Sequence, residues 1–102
     1  MVVPLKANEV VVKAGDSIFF TENEKIPGKM ILTNQRIYFV SCNGHAGEYD
    51  HEITPSEILE VIFCNTRRIL PNGLRIVLKN GEERRFSVKG RNEMGTLINR
   101  MY

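Results

Sequence analysis

The sequence predicts a small, mainly β domain closed by one C-terminal helix. Three observations lead there. Short apolar runs recur between turn signals at spacings of ~8–12 residues, the rhythm of a sandwich or barrel. The turn signals are Ala14-Gly15-Asp16, Glu24 to Gly28, Asn43 to Gly47, Pro71-Asn72-Gly73 and Asn80-Gly81. After residue 90 the apolar period changes: Met94, Leu97, Ile98 and Met101 recur at i, i+3, i+4 and i+7, one face of a helix. Finally, 102 residues is the length of one domain, which can bury a modest core without metals or disulfides.

The strands expected are 17–22, 28–33, 36–42, 48–53, 58–65, 73–79 and 83–89. Residues 1–15 then form an N-terminal arm, with Val10-Val11-Val12 as an extra strand or an extended piece, and 16–102 form the domain. The clearest hairpin is Gly28 to Phe39. Met30 and Leu32 share one face of its first strand, and Ile37 and Phe39 one face of its second. Thr33-Asn34-Gln35-Arg36 between them is turn chemistry, because Thr and Asn bond their own backbone and Asn tolerates the left-handed region. Gly28 permits a bend or a close backbone approach before the pair. Thr54-Pro55-Ser56-Glu57 re-aims the chain, since proline fixes its own φ and donates no hydrogen bond.

Asn80-Gly81 suggests a two-residue turn. That register would place Phe86 and Val88 on the face opposite Leu74, Ile76 and Leu78, splitting one apolar set between core and water. A three-residue loop, Lys79-Asn80-Gly81, repairs it. Leu74 then faces Phe86, Ile76 faces Arg84, and Gly81 takes the left-handed position of a bulge. In the final helix Asn92 is the expected N-cap and Glu93 suits the first turn. Gly95 weakens that helix by about 1 kcal/mol, so packing must hold it.

Charge is close to balanced, at +2, but unevenly placed: residues 1–60 carry −4 and residues 61–102 carry +6. A basic C-terminal part marks either an anionic partner or a solvated sheet face. With Leu74, Ile76 and Leu78 pointing in, Arg75, Val77 and Lys79 point out, as do Arg85 and Ser87 on the partner strand. Arg75, Lys79 and Arg85 then form one basic patch, with Arg67 and Arg68 in the loop before it, suited to anionic lipid headgroups. Glu82 and Glu83 partly neutralise it.

Other chemistry finds little support. Cys42-x-x-His45 has usable zinc spacing, but His51 and Cys64 form no second pair at a characteristic spacing, so no metal or cofactor is expected. In Asp50-His51-Glu52, strand neighbours point to opposite faces, so the histidine cannot work with both carboxylates. There is no P-loop, dinucleotide fingerprint or nucleophile elbow. The aromatics lie in alternating strand patterns and read as core, which argues against nucleic acid. Two cysteines, no secretory signal and no run of ~18 apolar residues point to the cytoplasm.

Gly28, Leu32-Thr33-Asn34, Arg36-Ile37 and Phe39 together resemble the signature of GRAM domains, small members of the pleckstrin-homology superfold. Ile53 to Ile58, Leu70 to Ile76, Lys79-Asn80-Gly81 and Phe86 continue the resemblance, which covers roughly residues 16–101. It implies a partly open barrel of about seven antiparallel strands in two near-orthogonal sheets, capped at one end by the helix. It also implies a non-catalytic module that binds lipid or protein at membranes. Many pleckstrin-homology relatives bind phosphoinositides through basic residues around the first hairpin. The nearest residues here are Lys25, Lys29 and Arg36, with Asn34 where that pattern has a basic residue. The alternative expectation is a protein-interaction or homo-oligomerisation unit, because partly open barrels leave strand edges that can pair with a partner.

Overall fold

A computed structural model describes residues 5–22, 24–41, 49–66 and 70–102. Seven antiparallel strands run in the order β4-β3-β2-β1-β7-β6-β5. They are β1 (Val11–Phe20), β2 (Lys25–Thr33), β3 (Ile37–Ser41), β4 (His51–Ile53), β5 (Ile58–Thr66), β6 (Leu70–Leu78) and β7 (Glu83–Val88), followed by α1 (Arg91–Asn99). The hydrogen bonding is continuous from β4 to β5, so the two halves of the curled sheet meet through β1. That strand pairs with β2 from Val11 to Phe20 but with β7 only from Ser17 to Phe20.

β1 therefore starts six residues before the expected strand. Val11 to Gly15 show no apolar alternation, and it is the long partner β2 that recruits them, with a register break between Val11 and Lys13. β2 in turn starts at Lys25. Ile26 continues the inward phase of Met30 and Leu32, and Pro27 is tolerated because β3 pairing begins only at Gly28. At Gly28 itself a Cβ would run into the Val40 carbonyl and the Phe39 ring. The Thr54 corner is a short 3-10 turn, Pro55–Glu57, in which Thr54 N–H donates to the Glu57 carboxylate at 2.9 Å.

The β6–β7 hairpin has the three-residue loop. Leu74 opposes Phe86 and Ile76 opposes Arg84. Gly81 N–H donates to Leu78 O at 3.0 Å, and Gly81 has φ 93°, a backbone shape side chains resist. The inward positions of β2, β3, β6 and β7 are all but fully buried, and Met94 and Ile98 of α1 complete the core at one end.

α1 begins one residue before the expected cap. Gly90, at φ 75°, makes the turn out of β7, which places Asn92 inside the first helical turn. Gly95 explains how so short a helix is held. A Cβ there would run into the Phe63 ring and lie 3.0 Å from Leu74 Cδ2, so its absence lets α1 sit directly on β5 and β6. Tyr102 pins the end of the chain. Its hydroxyl accepts from Val61 N–H at 3.0 Å and donates to Asn99 Oδ1 at 2.7 Å.

Candidate functional site

The register aligns side chains across the outer face of the sheet in rows. One row reads Lys25, Phe20, Arg85, Arg75, Ile62 across β2, β1, β7, β6 and β5. At strand spacing, four gaps make it about 19 Å long. Phe20 separates Lys25 from Arg85, Ile62 ends the row, both apolar side chains are half-buried, and Arg75 and Arg85 sit at directly opposed positions. Like charges placed that way repel. Arg75 Nε lies 3.0 Å from Glu83 Oε1, though without hydrogen-bond geometry, and both groups remain well exposed. On one side this row borders Pro27, Ile18, Ser87 and Gly73, which carry no charge. On the other it borders Glu83, Val77 and Glu60.

This geometry regroups the sequence-derived candidates. It unites Arg75 and Arg85 with Lys25, whose alignment depends on a pairing between β1 and β7 that local sequence does not show. It separates Lys79, which lies in the exposed hairpin turn beyond the acidic row. Lys29 lies two rows away from the Arg75 row, opposite Asp16. Arg67 and Arg68 fall outside the described residues, as do Cys42 and His45 of the zinc-like pair. Among the described residues no three His, Cys, Asp or Glu side chains cluster in a way that would hold a metal ion.

Arg36 is corrected outright: its guanidinium is committed within the fold. It is 6% exposed. Nε and Nη2 donate to the two oxygens of Glu9, each at 2.8 Å, and Nη1 donates to Glu52 at 2.7 Å. The guanidinium also lies 4.2 Å over the Tyr38 ring. Thr33 Oγ1 donates to Glu9 at 2.6 Å. Asn34 accepts from Val10 N–H at 2.9 Å and donates to Asn8 O at 3.0 Å, while Gln35 reaches Ala7 O at 3.1 Å. The Thr33-to-Arg36 corner is thus a clasp for the arm that precedes β1. Arg36, followed by Thr33, holds the Glu9 carboxyl down at about 2, against the opposing effect of burial.

His51 is taken up by the aromatic core. Its ring packs among Phe19, Phe39 and Phe86, with centroids 4.9 to 6.0 Å away. Nδ1 lies 2.8 Å from Tyr49 O, which assigns the proton to Nδ1, and Nε2 is buried without a partner. Burial lowers its pKa, assisted by Arg84 and opposed by the Tyr49 carbonyl and Asp50.

A shallow cleft of about 840 Å³ opens beside the uncharged row, between the start of α1 and the facing parts of β1, β2 and β7.

No protein-family model matches the chain, and no curated protein matches it in sequence. Solved structures do match it in shape. The C-terminal domain of an unknown protein from Leishmania infantum superposes with a TM-score of 0.79 at 13% identity, covering 90% of this chain and 83% of that one. The Vps36 N-terminal PH domain superposes with a TM-score of 0.71 at 13% identity, covering 95% and 84%. The curled seven-stranded sheet closed by one helix is a pleckstrin-homology-like fold. No helix among the described residues is long and apolar enough to cross a membrane.

Proposed function

We propose that this chain is a non-catalytic binding module that engages anionic surfaces, membrane lipid headgroups foremost, through the outer face of its sheet. The observation that carries this is the Lys25–Arg85–Arg75 row. A sheet face selected for stability alone has no use for two arginines at opposed positions. Each cation near an anionic leaflet contributes about 1 kcal/mol, so three give about a hundredfold in partitioning, lost as salt rises. Phe20, between Lys25 and Arg85, and Ile62, beyond Arg75, add apolar surface to the row. The residues matching the GRAM signature support placing the chain in that branch of the fold, and the same reading puts it at the cytoplasmic face of a membrane. Sedimentation with vesicles of graded anionic content, at low and physiological salt, tests the reading. Binding must rise with anionic lipid and fall with salt.

A second reading has its own observation. Val11 to Gly15 pair with β2 alone, and beside that open half-edge Val10, Val11 and Val12 are 61%, 45% and 50% exposed. Such an edge accepts a partner strand, including one from a second copy. A stable oligomer in light scattering, without salt-sensitive vesicle binding, would favour this protein-interaction role.

A further inference from the structure

We infer that the free edge of β5 is a self-association surface, on which a second copy of this chain adds its own β5 antiparallel about a two-fold axis at Val61. The inference stands apart from the lipid reading, and it concerns a different edge from the open half of β1.

Among the described residues, exposed large apolar side chains gather in two places. One is the arm and the start of β1. The other is the rim of β5, where Leu59, Phe63 and Tyr102 are 58%, 38% and 44% exposed. β5 ends the sheet and pairs with β6 alone. The register break between Ile58 and Glu60 leaves Leu59 without a partner on β6. Beyond it Glu60 to Cys64 pair regularly, which makes an unbroken stretch of edge.

Tyr102 shows which way the backbone of this stretch points. Val61 N–H donates to the Tyr102 hydroxyl at 3.0 Å, so it faces away from β6. In an antiparallel ladder, residues that bond one neighbour alternate with residues that face the other side. The backbone groups of Phe63 therefore face the open side with those of Val61. Such an edge is a template for another strand. The Tyr102 hydroxyl holds the place at Val61 that a partner strand's carbonyl would take.

Two properties of β5 select a second copy as that partner. The first is its apolar pattern. With Val61 opposite Val61, Leu59 falls opposite Phe63 on both sides of the axis, a self-complementary contact. A slip of two residues one way would set Glu60 against Glu60, and like charges so placed repel. A slip the other way would part Leu59 from Phe63.

The second is charge. Glu60 is the one charged residue from Ile58 to Cys64, and it falls opposite Ile62 of the second copy. Ile62 ends the cationic row, beside Arg75 and then Arg85. Glu60 ends the acidic row, beside Val77 and then Glu83. The cationic row of each copy therefore runs on into the acidic row of the other. Arg75 and Glu60 of the second copy stand two strand gaps apart, about 10 Å. At low salt, charges at that separation attract with little screening.

The test is sedimentation equilibrium of the full chain over a range of protein concentrations, at low and physiological salt. The parent should show a reversible monomer–dimer equilibrium. Tyr102→Phe, which takes the hydroxyl off Val61 N–H in both copies, should tighten it about threefold or more. Leu59→Lys removes two contacts with Phe63 and should weaken it at least about tenfold. The melting temperature of dilute Leu59→Lys should equal the parent's, because Leu59 is exposed in the single chain. Glu60→Lys and Arg75→Glu should each weaken association at low salt, since each sets like charges across the axis. An equimolar mixture of these two variants should associate more tightly than either alone, because both contacts between the copies become attractive. Parent and Tyr102→Phe both monomeric at the highest concentration, a dimer that Leu59→Lys leaves intact, or a mixture no tighter than its components would overturn the inference. A dimer removed by Val12→Lys instead of Leu59→Lys would overturn it in favour of the half-edge of β1.

Discussion

Arg36 holds Glu9 through two parallel hydrogen bonds of 2.8 Å, across 27 residues of sequence and with both side chains shut away from solvent. The residues that make this corner recognisable are thus fixed by an internal task. Thr33, Asn34 and Arg36 fasten the arm to the β2–β3 turn, and the basic surface lies elsewhere, on the outer row.

Breaking the clasp should therefore weaken the fold rather than binding. Arg36→Ala leaves the buried Glu9 carboxylate with one hydroxyl and one backbone donor, and the melting temperature should fall by several degrees. Arg36→Lys should recover only part of that loss, because an ammonium cannot form the paired fork. Vesicle binding of either variant, measured below its melting temperature, should match the parent.

Acid sensitivity should set in at two different pH values. Glu9 titrates at about 2 in the fold against an ordinary 4.5. Its contribution is full above 4.5 and is lost as pH falls toward 2. His51 has a lowered pKa against an ordinary 6.5. The unfolded chain takes up that proton first, so stability declines as pH falls below 6.5. Urea midpoints followed against pH should show both declines, with Arg36→Met suppressing the lower and His51→Phe the upper.

Gly95→Ala should destabilise the domain despite the better helix propensity of alanine. The propensity gain is about 1 kcal/mol, whereas forcing a methyl against Phe63 and Leu74 costs about 1–3 kcal/mol. Chemical denaturation reads the net sign, which should be unfavourable.

Arg85→Glu should act in opposite directions on stability and binding. It replaces a like-charge pair opposite Arg75 with an attractive one, stabilising the fold by about 0.2–1 kcal/mol. It also removes a cation from the row, so vesicle binding should weaken.

The elements that local pattern specifies were legible in the sequence. The β6–β7 register followed from keeping Leu74, Ile76, Leu78, Phe86 and Val88 on one face, and α1 followed from its apolar stripe. Features set by distant partners were not. Nothing near Arg36 announces Glu9, which arrives from a polar stretch before the first strand, so the arginine read as a free surface cation. The one available hint was a corner holding Thr33, Asn34 and Gln35, more hydrogen-bonding groups than a turn uses for itself. β1 began early because pairing with β2 outweighed the lack of alternation in Val11 to Gly15. Lys25 joined Arg85 and Arg75 only through the β1–β7 pairing, which closes the sheet across more than sixty residues of sequence.

Co-sedimentation of the parent and of the Arg75→Glu, Arg85→Glu double variant with anionic vesicles at low salt tests the central claim most directly. The parent should pellet with the vesicles and the variant should stay in solution, both measured below the variant's melting temperature. Equal pelleting of the two proteins, or none by the parent, would contradict the account.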